Sequence, residues 1–162
     1  VGDKATIVGR PLKSGEKAPD FTLPDQDGNE VTLSGLLADG PVVIFFYPRA
    51  FTPTCTAEAC GFRDAFEEFA QAGARIVGIS ADSVEKQKQF HTKHQLSFPV
   101  LSDPKTRVYD RFGLRASSLN WMVNDRVTFV IDREGIVRHH SSGMLVSDPH
   151  VKKSLEAVLA LA

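Results

Sequence analysis

The chain has few cysteines, no long apolar run and little net charge, and each of these properties argues against a class of protein. It contains only two cysteines among 162 residues, too few for the disulfide scaffold of a small secreted domain, so we expect a reducing, cytoplasmic setting. No apolar run approaches the ~18 residues that cross a bilayer, and residues 1–17 lack the basic-then-apolar pattern of a secretory signal. A formal net charge of −1 gives no broad field for nucleic acid or for an anionic membrane, so we expect neither partner.

What is present has the composition of a globular protein. Apolar residues make up 42% of the chain and charged residues 24%, which are ordinary proportions. A chain of this length buries a hydrophobic core without covalent cross-links. No internal repeat or low-complexity segment divides it. We therefore expect one domain over residues 1–162, in which residues 1–17 form a polar, Gly-rich lead-in.

Strand and helix patterns alternate along the sequence. Residues 21–23 and 31–33 flank an Asp-Gly step, which predicts an N-terminal β-hairpin, and Ser34 is a candidate cap for a short helix. The continuous apolar run 42–47 predicts a strand buried on both faces. Further strands are predicted at residues 75–80, 98–101, 127–132 and 136–140, and helices at 53–73, 83–94, 104–112 and from 149 onwards, where Val151, Leu155, Val158 and Leu159 share one face. This order predicts an α/β fold, with a central mixed sheet, helices on both faces and an added hairpin: the thioredoxin-like layout.

Both cysteines follow the 42–47 strand closely. Thr52 and Pro53 form a helix start, with Thr52 as N-cap and Pro at the first helical position, so Cys55 falls in the first turn. Unpaired backbone N–H groups and the positive end of the helix dipole favour the anion of a thiol placed there. Cys60 follows five residues later, near enough to react with whatever Cys55 becomes. A buried structural thiol is the alternative for a lone cysteine, but this context indicates redox catalysis.

The same segment resembles the peroxiredoxins, especially the bacterioferritin-comigratory-protein or Q subfamily. The core motif Pro-x-x-x-Thr-x-x-Cys is met by Pro48, Thr52 and Cys55, and the second cysteine of the subfamily is met by Cys60. Further matching segments follow in the expected order over nearly the whole chain, at residues 19–23, 62–64, 78–83, 98–103 and 126–132.

The resemblance implies a role for each matched residue. Cys55 is the nucleophile, whose thiolate attacks the terminal peroxide oxygen, breaks the O–O bond and becomes a sulfenic acid. Pro48 shields the thiolate from water, and Thr52 orients the peroxide or the thiolate through its hydroxyl in addition to capping the helix. Arg126, which only the resemblance places beside Cys55, stabilises the thiolate and the leaving oxygen. Glu58 matches a family position and either holds an arginine of the site or is an exposed first-turn carboxylate.

Cys60 is implied to resolve the sulfenic acid as an intramolecular disulfide. Five helical residues separate the two Cα atoms by a rise of ~7.5 Å and by about 9 Å overall, which is beyond the ~7 Å that a disulfide spans. We therefore expect local unwinding of residues 55–62 after oxidation. Ala50, Phe51 and Thr54 depart from the subfamily and are similar to the one-cysteine, alkyl-hydroperoxidase-E-like branch, so a one-cysteine cycle stays open.

Two further groups of residues have alternative interpretations. His91 with His94, and His139 with His140, suggest a metal site, but no third ligand is evident nearby and the cysteine spacing does not match a zinc site. We therefore expect no metal and no other cofactor, because the chemistry of sulfur suffices. Four apolar side chains are core residues by default, or else form a collar for organic hydroperoxides: Phe51, Leu119, Trp121 and Met122.

The sequence thus predicts a thiol peroxidase that reduces hydrogen peroxide and organic hydroperoxides and is recycled by thioredoxin or a similar dithiol protein. The resemblance favours a monomer, with a weak dimer as the alternative. Two other functions stay open. A thiol–disulfide oxidoreductase is disfavoured, because that class uses Cys-x-x-Cys. A non-catalytic redox sensor or holdase would react once rather than turn over.

Overall fold

A computed structural model of the chain describes residues 11–47, 50–51, 53–114, 127–142 and 148–161. The strands are β1 (Thr22–Pro24), β2 (Glu30–Thr32), β3 (Val42–Phe46), β4 (Arg75–Ser80), β5 (Val100–Ser102), β6 (Val127–Ile131) and β7 (Val137–Ser142). The helices are α1 (Leu33–Leu37), α2 (Pro53–Asp64), α3 (Phe66–Gln71), α4 (Val84–Lys93), α5 (Arg107–Arg111) and α6 (Asp148–Ala160). The predicted strands are therefore present, with ends that differ by at most two residues.

Five strands form one mixed sheet in the order β5-β4-β3-β6-β7, and β1 and β2 form a separate antiparallel hairpin. The central strand β3 pairs in parallel with β4 and antiparallel with β6. Every residue of β3 and of β6 is buried, as the continuous apolar runs predicted. The mixed sheet with an added hairpin confirms the predicted architecture.

Alternate residues of β3 point into two different cores, one on each face of the sheet. Ile44 and Phe46 join a core that also takes in the hairpin, α1 and α5. Val43 and Phe45 join the opposite core, together with side chains of α2, α3, α4 and α6. Because Cys55 belongs to this second core, the helix that carries it is packed directly on the central strand.

Three helix predictions need correction. The helix predicted at 53–73 is interrupted at Ala65, whose ψ of 5° is not helical. The sequence did not predict this break, because the spacing of apolar residues does not show a change that is confined to one backbone dihedral angle. Thr32 rather than Ser34 caps α1, since its side chain accepts a hydrogen bond from the Gly35 N–H. The helix predicted at 104–112 is confined to Arg107–Arg111.

The apolar face of α6 is also narrower than predicted. Val158 is buried, but Leu159 is 55% exposed. At about 100° per residue, Leu159 lies roughly 80° around the helix from Val151, at the edge of the stripe that faces the core. The predicted start of the helix near residue 149 is confirmed, and Gly73, with a φ of 82°, ends the α3 segment as predicted.

Candidate active site

Cys55 is the third residue of α2 and is completely buried. Its position in the first helical turn confirms the prediction from the sequence, and it places the thiol where backbone N–H groups and the helix dipole favour an anion. Neither Cys55 nor Cys60 is in a disulfide. Other residues predicted for the site or near it lie outside the described residues: Pro48, Arg49, Thr52, Leu119, Trp121, Met122 and Arg126.

The loop that leads into α2 is anchored by an aspartate at the end of β4. The Ala50 N–H donates to Asp82 Oδ2 at 2.6 Å, and the Ser80 hydroxyl donates to the same oxygen at 2.7 Å. Asp82 in turn donates its own N–H to Ser80 Oγ at 3.2 Å. A carboxylate that accepts several hydrogen bonds holds its partners in a fixed geometry. Asp82 therefore positions the chain just before the helix of the nucleophile.

Phe51 continues this loop in an unusual backbone conformation. Its φ of 68° lies in the left-handed region, which is rare for a bulky side chain. The half-buried ring packs edge-on against Phe90, with ring centroids 5.3 Å apart, and Lys86 Nζ lies 5.3 Å from the Phe51 ring centroid. Held in this way, Phe51 presents an apolar surface close to the start of α2.

Tyr47 lies under the same loop and belongs to a buried hydrogen-bond chain. Its hydroxyl donates to Gln87 Oε1 at 2.6 Å, and Gln87 Nε2 donates to the Leu101 carbonyl at 2.7 Å. Burial raises the pKa of Tyr47 well above its usual range, and its electrostatic interactions with Asp82 and Cys55 act in the same direction. Tyr47 therefore stays protonated and serves as a hydrogen-bond donor within the core that holds Cys55.

Glu58 is completely buried, although it was also considered as an exposed first-turn carboxylate. That alternative is wrong. Glu58 Oε2 lies 3.3 Å from His150 Nδ1 and accepts a hydrogen bond from the Thr128 hydroxyl at 3.4 Å. Thr128 Oγ1 and His150 Nδ1 are 2.8 Å apart. The buried carboxyl group thus has polar neighbours from β6 and α6, as buried polar groups require.

Cys60 lies on the same continuous helix as Cys55 but in a different environment. It is half-buried, and its Sγ lies 3.9 Å from His94 Nδ1 at the end of α4. Arg63, one turn further along α2, donates from a guanidinium nitrogen to the His94 carbonyl at 2.8 Å. Burial lowers the pKa of His94, and the positive charges of Lys93 and Arg63 lower it further.

One histidine of each pair considered as metal ligands has another polar neighbour. His94 is the neighbour of Cys60, and His139 Nε2 lies 2.8 Å from Ser141 Oγ. Among the described residues, no three His, Cys, Asp or Glu side chains come together as a metal site. Within the same part of the chain, no helix is both long and apolar enough to cross a membrane.

Known proteins are similar to this chain over most of its length. The AhpC/TSA family matches residues 14–140. Chloroplastic peroxiredoxin Q of Sedum lineare is 40% identical over 150 residues, which cover 93% of this chain and 80% of the relative. The crystal structure of peroxidoxin BcpB from Mycobacterium tuberculosis superposes with a TM-score of 0.86 at 43% identity, over 93% of this chain and 99% of that one.

A structure of the Xanthomonas campestris bacterioferritin comigratory protein, studied for its alkyl peroxide reduction activity, has a TM-score of 0.78 at 29% identity, over 87% of this chain and 91% of that one. These matches show that the chain belongs to the AhpC/TSA family and is a peroxiredoxin, a thiol-dependent peroxidase. The predicted thioredoxin-like fold is confirmed by the same neighbours.

The sequence did not predict the contacts that four polar residues make at the site: Asp82, Thr128, His94 and His150. Asp82 and Thr128 fall within the segments that resemble the peroxiredoxins, so the sequence held a signal for both, but their contacts with Ala50 and Glu58 did not follow from it. His94 was considered only as a metal ligand. No signal in the sequence pointed to His150, which is 92 residues from Glu58.

Proposed function

We propose that the chain reduces hydrogen peroxide and organic hydroperoxides with Cys55 as the nucleophile. The observation that carries this proposal is the burial of Cys55 in the first turn of α2, on the central strand of the sheet. The thiolate attacks the terminal peroxide oxygen, the O–O bond breaks, and the cysteine becomes a sulfenic acid while water or an alcohol leaves. Pro48, Thr52 and Arg126 belong to this proposal in the roles that the family motif gives them.

Organic hydroperoxides are included because the site has apolar surroundings. Half-buried Phe51 packs beside the start of α2. The alkyl peroxide activity studied in the X. campestris relative supports the same substrate class for this chain. A comparison of kcat/KM for cumene hydroperoxide and for hydrogen peroxide tests this part. A Phe51→Ala variant is expected to lower kcat/KM for cumene hydroperoxide more than for hydrogen peroxide.

Cys60 is proposed to resolve the sulfenic acid by forming a disulfide with Cys55. The helix α2 runs without interruption from Pro53 to Asp64, so the two Cα atoms are about 9 Å apart, too far for a disulfide. Resolution therefore requires part of α2 to unwind. Gly61, next to Cys60, lowers the stability of α2 as a whole, because a helical Gly is about 1 kcal/mol less stable than Ala.

We further propose that a thioredoxin-type dithiol protein reduces this disulfide, in a cytoplasmic setting and with the enzyme as a monomer. The peroxidase step needs neither metal nor flavin, because sulfur supplies both electrons. Sedimentation velocity and cell fractionation test the oligomeric state and the location. Stable dimers would contradict only the proposed monomeric state, and a protein found outside the cytoplasm would contradict only the proposed location.

The cysteine variants test the catalytic cycle. Mass spectrometry of wild-type protein treated with one equivalent of peroxide is expected to show a Cys55–Cys60 disulfide. Cys55→Ser should abolish peroxide consumption, and Cys60→Ser should consume one equivalent and then stall with thioredoxin as reductant. Normal thioredoxin-dependent turnover of Cys60→Ser would instead place the chain in the one-cysteine branch. Insulin reduction without peroxidase activity would favour an oxidoreductase, and a single reaction without turnover would favour a sensor.

A further inference from the structure

Cys60 and His94 form a thiol–imidazole pair across two helices. The 3.9 Å distance between Cys60 Sγ and His94 Nδ1 is within the range of a hydrogen bond to sulfur. The pair is fixed from a second direction, because Arg63 of α2 donates to the His94 carbonyl. The C-terminal half of α2 is thus fastened to the end of α4 just beyond Cys60.

We propose that His94 is the base that removes the proton of Cys60 when the enzyme resolves its sulfenic acid. This inference rests on the proposed function of Cys60 as the resolving cysteine. It assigns His94 to the second chemical step, the resolution of the sulfenic acid. The first step, the attack of Cys55 on peroxide, depends instead on the residues around the start of α2.

The environment of His94 suits a base. Lys93 on its own helix and Arg63 on α2 are the charged groups that act on the imidazole, and both favour its neutral form, as does burial. Asp64 pairs with Arg63 at 3.1 Å and is largely exposed. The ring also stands against Phe90, with centroids 5.2 Å apart. A neutral imidazole with its proton on Nε2 presents the Nδ1 lone pair to the Cys60 thiol.

The chemical step is balanced without any further reagent. The Cys60 proton passes to His94 Nδ1, and the resulting thiolate attacks the sulfenic sulfur of Cys55. An S–S bond forms and the S–O bond breaks, so the sulfenic sulfur is reduced and the Cys60 sulfur is oxidised. The departing hydroxide takes the proton from the imidazolium and leaves as water, and His94 returns to its neutral form.

The position of Arg63 also indicates which part of α2 moves. Its contact with the His94 carbonyl holds the helix just after Cys60, so unwinding is expected on the N-terminal side, between Pro53 and Ala59, and requires the buried contacts of Glu58 with Thr128 and His150 to break. Cys55 then travels to Cys60, and Cys60 stays beside its base. The unwound segment therefore excludes residues 60–62, which the sequence alone predicted to unwind together with residues 55–59.

A single-turnover experiment tests the role of His94. Wild type, His94→Ala and His94→Gln are mixed with one equivalent of peroxide, quenched at intervals with acid, alkylated and examined by mass spectrometry, which separates sulfenic acid formation from disulfide formation. His94→Ala and His94→Gln are expected to slow disulfide formation at pH 7 by about 10²-fold, the low end of general-base contributions. The rate of Cys55 oxidation should not change. Added imidazole should restore disulfide formation in His94→Ala.

The matched control is His91→Ala, one turn earlier on α4, which should resolve at the wild-type rate. Disulfide formation at the wild-type rate in His94→Ala or His94→Gln would overturn the proposal, and so would a slow rate that imidazole does not restore. If Cys55 oxidation slows equally, the role of His94 is structural and the proposal also fails. A wild-type enzyme that forms no Cys55–Cys60 disulfide would show instead that the proposed function of Cys60 is wrong.

Discussion

Glu58 and His150 meet in the core beneath the nucleophile, with Oε2 and Nδ1 3.3 Å apart and side chains that are 0% and 3% exposed. Glu58 lies three residues after Cys55, on the same helix. His150 lies in the first turn of α6, and Thr128 of β6 contacts both. The helix of the nucleophile is therefore held to the sheet and to α6 by a polar contact inside an apolar core, where such contacts fix geometry strongly.

Replacement of His150 by Ala is expected to destabilise the fold. The change removes the imidazole neighbour of the buried Glu58 carboxyl group, and loss of the partner of a buried polar group costs about 1–3 kcal/mol. Guanidinium denaturation of both proteins measures the free energy of unfolding. Lys152→Ala, an exposed residue on the same helix, is the control and should change it by less than about 0.5 kcal/mol. Equal stability of His150→Ala and Lys152→Ala would contradict the prediction.

Replacement of Asp82 by Ala is expected to slow the reaction of Cys55 with peroxide. The variant removes the acceptor for the Ala50 N–H and the Ser80 hydroxyl, so the segment before α2 loses its anchor. Displacement of reacting groups by about 1 Å costs up to about 10²-fold in rate. Stopped-flow measurement of the first step detects this loss directly. Asp39→Ala, which removes an exposed carboxylate paired with Arg75, should react at the wild-type rate, and equal rates in the two variants would show that Asp82 does not position the loop.

The sequence predicted those parts of the molecule that local patterns determine. The buried strand β3 and the first-turn position of Cys55 both followed from short-range signals, namely an uninterrupted apolar run and a Thr-Pro helix start. The partners of the site did not follow, because they join residues far apart in the chain. Glu58 meets His150 across 92 residues, and Cys60 meets His94 across 34. Periodicity indicates which face of a helix is buried but not which polar group on another element it will meet.

Substitution of Gly78 by Ala is expected to overpack the core on the Cys55 side of the sheet. Gly78 pairs with Phe45 in the neighbouring strand, and a Cβ there would lie 2.7 Å from Phe45 Cζ and 3.1 Å from Tyr47 Cε1. Neither ring can move freely, since both are buried. We expect a loss of about 1–3 kcal/mol in the free energy of unfolding.

Chemical denaturation of Gly78→Ala, Phe45→Leu and the double variant tests this explanation. If the cost comes from the ring of Phe45, its removal should relieve part of the strain, and the double variant should be more stable than the sum of the single changes by about 0.5 kcal/mol or more. Strict additivity would show that the clash with Phe45 is not the cause.

Asp132 is expected to make the stability of the β6–β7 hairpin dependent on pH. Its Oδ1 accepts the N–H groups of Glu134 and Ile136, both at 3.0 Å, and Oδ2 accepts from the Arg138 guanidinium. Burial opposes ionisation of Asp132, but these hydrogen bonds and the charge of Arg138 outweigh it and lower the pKa of the carboxyl below its usual value. Because the folded-state pKa is the lower one, the contribution to stability is complete above the unfolded-state pKa of about 4. It is lost as the pH falls through the folded-state pKa.

Urea denaturation of wild type and Asp132→Asn at pH 7, 5 and 3 measures this contribution. The difference in unfolding free energy is expected to be about 2 kcal/mol at pH 7 and pH 5, as for hydrogen bonds to a charged group. It should shrink at pH 3, because the unfolded chain then binds a proton at this carboxyl more readily than the native state, in which the pKa of Asp132 is lower. Asp39→Asn, in an exposed ion pair with Arg75, should differ from wild type by less than about 1 kcal/mol throughout. A difference between wild type and Asp132→Asn that is the same at pH 3 as at pH 7 would mean that the charge of Asp132 contributes nothing and that only its shape matters.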